Sequence, residues 1–404
     1  MKNILKSICY LIFAFLLFAP IVRAGDSDDF DSWKKEFYQQ ALKSGVSKKI
    51  LDQTVPKMKL LERVIQLDTQ KPEFVSNFYD YTNRRLSDER VANGRKMIHK
   101  YKTWLSRVEE KYGVPKEYLV ALWGMETNYG TFMGSVNMLD SLASLAYHPR
   151  RRKFFTGELI AYLKILEHEH SSAPKTGSWD GGFGNFQFMP TTFLAYAVDG
   201  DGNGRRDIVN NMPDSFASAA NYLNKMGWRK DEPWGREVIV PENFDWEHIH
   251  KHETKTVADW KKLGIKPKHI TEFPVAEKDV VAEWHMPMGK EGPVFLTYPN
   301  FKIIMRWNKL SLYAISTGML ADVIEKRYDP IRTPADFSAF RTTEIICLQE
   351  KLAEKGYLKE GADGLIGPKT RAGVAAFQRD NGLVPDAYPN FELLRKVGCK
   401  YEEN

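Results

Sequence analysis

Three stretches of this chain combine residue types that can do chemistry. The first is Leu122-Trp123-Gly124-Met125-Glu126, followed at once by Thr127-Asn128-Tyr129-Gly130. A carboxyl beside large apolar side chains loses water on folding, which favours its neutral form and raises its pKa. An acid kept neutral at working pH can protonate the leaving oxygen of a glycosidic bond. Glu126 is therefore the candidate general acid, although a helical Glu beside a Trp is also a common boundary residue. The second stretch runs from Gly177-Ser178-Trp179-Asp180 to Gly184-Asn185-Phe186-Gln187-Phe188-Met189-Pro190. Its glycines let backbone approach a ligand closely, and Ser178 and Gln187 can hydrogen-bond the hydroxyl and amide groups of a sugar. An ordinary flexible loop has a similar composition.

The third stretch is Asp199-Gly200-Asp201-Gly202-Asn203-Gly204-Arg205. Oxygen-bearing side chains at relative positions 1, 3 and 5, with glycine at 6, form the front half of a calcium loop. Position 7 offers the Arg205 carbonyl. The Glu expected at position 12 is absent, because Asn210 stands there. Asp214 is the nearest carboxylate beyond it and closes the site only in a longer loop. A metal-free acidic turn is the alternative. The Arg150-Arg151-Arg152-Lys153 run reads as a solvated helix start.

These residues need a helical frame. From Phe30 to about Lys111 apolar residues recur at helical spacing, and Ser87 to Lys111 reads as one long amphipathic stretch. Pro115 suits the first turn of the helix that carries Glu126. Arg152 to Glu169 forms another helix, with Phe155, Leu159, Tyr162, Leu163 and Leu166 as its stripe. Lys175 to Gly184 is loop. Between Val238 and Met305 short β-like runs (Val238–Val240, Val294–Leu296, Lys302–Met305) predict a small, irregular β region. Tyr328 to Phe340 carries two prolines and reads as a linker. The final unit holds Leu348-Gln349 with Leu352, then Asp363-Gly364, then Phe377-Gln378, in the order helix, tight turn, helix.

Lys2 and Lys6 precede an apolar run from Tyr10 to Val22, and Val22-Arg23-Ala24 places small residues for signal-peptidase cleavage after Ala24. The run is short of the ~20 residues that span a bilayer comfortably. Export to the periplasm of a chain that spans no membrane after cleavage is the expectation, with an uncleaved anchor as the alternative. The 58 Lys and Arg against 52 Asp and Glu give +6, and losing Lys2, Lys6 and Arg23 with the leader leaves +3. That is weak for a nucleic-acid binder, so no nucleic-acid partner is expected. Cleavage also removes Cys9 and leaves Cys347 and Cys399, a plausible disulfide in an exported unit; two buried thiols are the alternative. With so few cysteines and scattered histidines, a zinc site has little support.

Taken together, the motifs resemble the lytic murein transglycosylases of the membrane-bound type B kind, over nearly the whole mature chain. The E-T-x-Y-G box is Glu126 to Gly130. The G-x-x-Q-F-M-P end of the glycine loop is Gly184 to Pro190, with the loop's serine at Ser178; two usual alanines are Asp180 and Gly182 here. The A-N-Y block is Ala220-Asn221-Tyr222. The R-Y-N-x-x-x-x-Y block is Arg306-Trp307-Asn308 with Tyr313, and Trp307 replaces a tyrosine, so no hydroxyl role passes to it. The last unit resembles the helical peptidoglycan-binding domain, with L-Q-x-x-L, D-G-x-x-G-x-x-T and F-Q all present.

This resemblance implies a mainly α protein. A lysozyme-like helical catalytic core with a small irregular β region would span 25–330, after a signal peptide at 1–24. A linker at 331–340 would lead to a small C-terminal helical bundle at 341–404. It further implies cleavage of the β-1,4 bond between N-acetylmuramic acid and N-acetylglucosamine in peptidoglycan glycan strands. Glu126 would act as acid and then base, leaving 1,6-anhydromuramic acid ends and needing no catalytic cofactor. Ser178, Gln187, Tyr222, Asn308 and Tyr313 would line the groove. Asp199, Asp201, Asn203, Arg205 and Asp214 would hold a structural calcium ion, Asp214 lying at the family's offset before the tyrosine of A-N-Y. The chain is expected to act as a monomer. Two rival readings stay open: a lysozyme-type muramidase using water, for which Asp180 could be a second carboxylate, and a non-catalytic wall-binding protein.

Overall fold

A computed structural model describes residues 25–69, 77–169, 173–250, 253–275, 278–335, 337–359 and 361–400. The proposed leader and its cleavage site lie outside the described residues. None of the described helices is long and apolar enough to cross a membrane.

The helix Lys116–Thr127 is the axis of the molecule. It is buried on nearly every side, through Tyr118, Leu119, Val120, Ala121, Leu122, Trp123 and Met125. An all-round apolar helix belongs inside a large core rather than on its surface. Its companion is Ser311–Ile324, equally buried, which packs along it. The two are also tied at one end by charge. Arg327 donates to Glu117 in the first turn of Lys116–Thr127 at 2.7 Å and to Asp322 of Ser311–Ile324 at 2.8 Å. Asp322, fully buried, also accepts from the Trp234 indole at 2.8 Å. Satisfied buried charge of this kind fixes how two helices sit against each other, because a slip would strand the carboxylates.

Around this pair the core runs from Phe30 to Ile324 and takes in Tyr388 of the C-terminal unit. The expected single stretch from Ser87 to Lys111 is two helices, Asp88–Lys100 and Lys102–Tyr112. Tyr101 breaks them apart, and its ring packs edge-on against Trp123 and Phe216. The half-buried ring packs against the core at the junction of the two helices. Arg152–His168 is helical as expected. Within the expected loop, Thr176–Gly177 forms a short antiparallel pairing with Val136–Asn137.

The β region is an antiparallel sheet in the spatial order Lys255–Thr256, Val281–His285, Phe295–Thr297, Gly235–Ile239 and Lys266–Pro267. It covers its own small core of Val257, Trp260, Ala282, Leu296 and Tyr298. Lys302–Met305 is not a strand: it lies in the helix Pro299–Trp307. Pro299 opens the helix, and Phe301, Ile303 and Ile304 form its buried face. A short apolar run does not by itself distinguish strand from buried helix.

Among its described residues the C-terminal unit has three helices, Thr342–Glu354, Pro368–Asp380 and Phe391–Val397, around Leu348, Leu352, Val374, Phe377 and Leu393. Asp363-Gly364 is the tight turn, with Gly364 at φ +72°. Cys347 and Cys399 form a disulfide with Cα atoms 6.0 Å apart. Residues 331–335 and 337–340 have no regular structure, yet the segment is strapped to the core. Arg332 reaches the Leu86 carbonyl at 3.1 Å, and the Phe337 ring meets Tyr79.

Candidate active site

Glu126 occupies the last turn of Lys116–Thr127, and the backbone beyond it folds sharply. Asn128 ends the helix in the left-handed region at φ 49°, followed by Tyr129 at 61° and Gly130 at 82°. This reversal returns the Tyr129 ring onto the helix, where a side chain at Gly124 would meet it at 2.8 Å. Thr127 pins the turn: its hydroxyl donates to the Asn185 carbonyl at 2.9 Å and accepts from Gly130 N–H at 3.0 Å.

Asn185 is a residue the sequence reading passed over. Its Oδ1 accepts from the Trp123 indole at 3.0 Å, while its amide donates to the Ile208 and Val209 carbonyls at 3.2 and 2.9 Å. One buried side chain thus joins the Glu126 helix, the glycine loop and the end of the acidic loop. Its position in an otherwise apolar Gly-Asn-Phe step was the only available signal.

The carboxyl of Glu126 takes a hydrogen bond from Tyr313, which donates its hydroxyl to Oε1 from the helix Ser311–Ile324. The side chain of Trp307, at the end of Pro299–Trp307, also favours the carboxylate. Burial pushes Glu126 up to about 7, working against the pull of Tyr313, Trp307 and the Arg85 charge. Desolvation penalises the carboxylate, whereas donors and a nearby cation favour it, and here desolvation wins. A carboxyl balanced near neutrality can give a proton and take one back. Tyr313 stays a protonated donor, its pKa raised well above the ordinary phenol value by burial and by Glu126.

The other residues expected at the site divide. Tyr222 is beside it: its ring meets Trp307 edge-on at 5.0 Å, and its hydroxyl donates to the Arg306 carbonyl at 3.1 Å. Ser178 and Gln187 shape the glycine loop. Ser178 Oγ donates to Asp180 Oδ1 at 2.6 Å and accepts from Gly182 N–H at 2.9 Å. Gln187, at φ 48°, donates through Nε2 to the Met133 carbonyl at 3.1 Å and to Gly184 at 3.0 Å. That bond links the glycine loop to the turn after Glu126. Gly134 makes the junction close, since a Cβ there would lie 2.1 Å from the Gly177 backbone. Asn308 accepts from Leu310 N–H at 2.9 Å and shapes the entry to the Tyr313 helix. Asp180, the candidate second carboxylate, is engaged by Ser178 within its own loop. Its charge works with burial to raise the Glu126 pKa.

The acidic loop gathers Asp199, Asp201 and Asp214 so that one carboxylate oxygen of each lies within 4.8 Å of the others. Asp214 is fully buried and accepts backbone N–H groups from Gly200 at 2.7 Å and Asp207 at 2.8 Å. Burial, with the charges of Asp201 and Asp199, raises its pKa. Burial also opposes ionisation of Asp199, but N–H groups of Gly204, Gly202 and Asn203 prevail and hold it below the usual range. Asn203 Oδ1 accepts from Arg205 N–H at 2.9 Å, which fixes the turn. The neighbouring cation Arg206 is spent on Glu169 and the Phe193 ring. Three converging carboxylates, all-oxygen donors and no ion-pairing Lys or Arg among the described residues fit a hard divalent cation.

Residues 29–322 match a family model described as a transglycosylase SLT domain, and residues 341–397 match one for a peptidoglycan binding domain. Membrane-bound lytic murein transglycosylase B of Escherichia coli (strain K12) is 29% identical over 295 residues, 70% of this chain and 79% of that protein. Among solved structures, SltB3 from Pseudomonas aeruginosa in complex with NAG-anhNAM-pentapeptide is 35% identical. It covers 91% of this chain and 99% of that chain, with a TM-score of 0.81. The Escherichia coli lytic transglycosylase Slt35 in complex with calcium is 26% identical, covering 72% and 92%, with a TM-score of 0.60.

Proposed function

The chain belongs to the transglycosylase SLT domain family, as a lytic murein transglycosylase, and from that premise we propose that Glu126 performs both proton transfers of its reaction. The observation that carries this reading is one half-buried carboxyl, its pKa raised to about 7 by desolvation and its Oε1 hydrogen-bonded by Tyr313. In the first step neutral Glu126 protonates the oxygen between N-acetylmuramic acid and N-acetylglucosamine, and the glycosidic bond breaks. The substrate's own acetamido oxygen stabilises the electron-poor anomeric carbon, so no second carboxylate takes part. In the second step the Glu126 carboxylate removes the proton of the muramoyl 6-hydroxyl as that oxygen attacks the anomeric carbon. The 1,6-anhydro ring closes, water does not enter, and Glu126 is again neutral.

Tyr222 borders this groove, while Ser178, Gln187 and Asn308 hold the loops that shape it. The residues Asp199, Asp201, Asn203, Arg205 and Asp214 would hold a structural calcium ion, a role supported by the donor set and by the calcium complex of Slt35. Bound there, it would brace the loop that Asn185 connects to the Glu126 helix, away from the proton transfers. The unit from 341 onward holds the enzyme on peptidoglycan, residues 25–330 form the catalytic part, and 331–340 connect them. The protein works as a monomer in the periplasm after cleavage behind Ala24, which N-terminal sequencing of the exported protein would check.

Digestion of peptidoglycan in ¹⁸O-labelled water tests the reaction. Anhydro-muramoyl ends without label are expected, and labelled reducing ends would establish a hydrolase instead.

A further inference from the structure

We propose that Arg85 is an anion-binding residue of the catalytic groove, which takes a carboxylate carried by the muramoyl residue or its stem peptide. This inference rests on the peptidoglycan reading above and names a determinant of substrate choice within it.

Arg85 is the last residue of the helix Phe78–Arg85 and is half-buried. Its position relative to the catalytic acid is set by its neighbour Arg90. That guanidinium donates to the Arg84 and Arg85 carbonyls at 3.2 and 3.0 Å and to Asn128 Oδ1 at 3.2 Å. Asn128 is the residue that ends the Glu126 helix. Tyr129 adds a further tie by donating its hydroxyl to the Arg90 carbonyl at 2.8 Å. The end of Phe78–Arg85 is thereby stitched to the turn that carries Glu126.

The Arg85 guanidinium lies over the Tyr81 ring, 5.2 Å from its centroid. Among the described residues no carboxylate ion-pairs with it. An aromatic face restrains a guanidinium without consuming its N–H donors. Both residues act on the reacting pair: the Arg85 charge lowers the pKa of Glu126, and Tyr81 raises that of Tyr313. Arg90 adds a second positive charge nearby, and Arg85 is among the causes that depress its pKa after burial. Two neighbouring guanidinium groups with one set of donors unused are a site for an anion, and Arg suits the planar carboxylate.

The substrate supplies such an anion next to the scissile bond. Each muramoyl sugar carries a lactyl group on O3, which ends either as a free carboxylate or as an amide leading into a peptide with its own carboxylates. A guanidinium on the element stitched to the Glu126 turn meets whichever is present.

The test uses the full mature chain and soluble glycans of matched length in four forms. One is peptide-bearing, one is peptide-stripped with free lactyl carboxylates, and the others are the same two with carboxyls converted to methylamides. The wild type is expected to show a KM about tenfold lower for an anionic glycan than for its neutralised form, the scale of a charge-assisted hydrogen bond. Arg85→Met is expected to collapse that preference to near one, and Arg85→Lys to restore part of it. Collapse on peptide-bearing glycan alone assigns the stem peptide, and collapse on stripped glycan assigns the lactyl carboxylate. An Arg85→Met enzyme that keeps the wild-type preference, or a wild type with none, overturns the inference while leaving the transglycosylase reading in place. A wild type that forms no anhydro ends on any glycan overturns both.

Discussion

The Tyr313 hydroxyl reaches Glu126 from 187 residues away, across two helices whose far ends are clamped by Arg327. The donor stabilises the carboxylate and so restrains a pKa that burial drives upward. In the proposed mechanism both the acid step and the base step depend on that balance.

Tyr313→Phe removes a donor to the carboxylate, so the Glu126 pKa should rise above its value of about 7. Glu126 must be protonated for the first step, which makes its ionisation the alkaline limb of kcat/KM. That limb is expected to move up by about one pH unit, with activity near pH 6 falling about tenfold from lost orientation. Trp307→Phe should move the limb in the same direction. pH–rate profiles of the variants against the wild type check both.

Glu126 also makes stability depend on pH. Its folded pKa is raised, so its favourable contribution is intact below the ordinary Glu pKa and is lost as pH rises through about 7. Glu126→Gln removes the penalty of a buried carboxylate. The variant should be more stable than the wild type at pH 8.5, by at most about 3 kcal/mol, with the gap closing below pH ~4.5. Denaturant unfolding at the two pH values gives the difference.

Calcium should raise the melting temperature of the mature protein, with saturation at 100 times Kd worth about 2.7 kcal/mol. Asp201→Asn is expected to weaken that response, and Asp214→Asn to weaken it further because Asp214 is the buried member. Thermal melts with added calcium, magnesium and chelator measure the effect. Equal shifts with magnesium would argue against a loop built for the larger ion.

The Cys347–Cys399 disulfide spans a sequence separation of 52 residues. Cys399→Ser should destabilise the C-terminal unit by about 4 kcal/mol in the chain-entropy account. Cleavage of short soluble glycan should persist, and digestion of intact sacculi should fall, as paired assays would show.

Glu126 was legible because its signal is local: an acid set among Leu122, Trp123 and Met125. The acidic loop was legible for the same reason, with oxygen donors at fixed offsets. The partners of Glu126 were not, since Tyr313 and Trp307 reach it by tertiary packing that no spacing encodes. Trp307 brings no hydroxyl, yet its side chain still favours the Glu126 carboxylate. Ser178 and Asn308 carry chemistry suited to sugar, and their side-chain oxygens also accept from backbone N–H groups of their own turns, which no spacing encodes. The errors of fold have a similar origin. Lys302–Met305 has strand-like residues but lies behind Pro299 with one face buried, and Tyr101 breaks a helix to fill a gap between aromatic rings.

The most direct test is Glu126→Gln assayed on purified peptidoglycan beside the wild type, with glycan binding measured in parallel. Gln keeps the shape of the side chain but can neither give nor take the proton. Loss of anhydro-muramoyl ends by a factor of about a thousand or more, with binding retained, is the expected result. Anhydro ends formed at the wild-type rate by the variant would contradict the assignment of both proton transfers to Glu126.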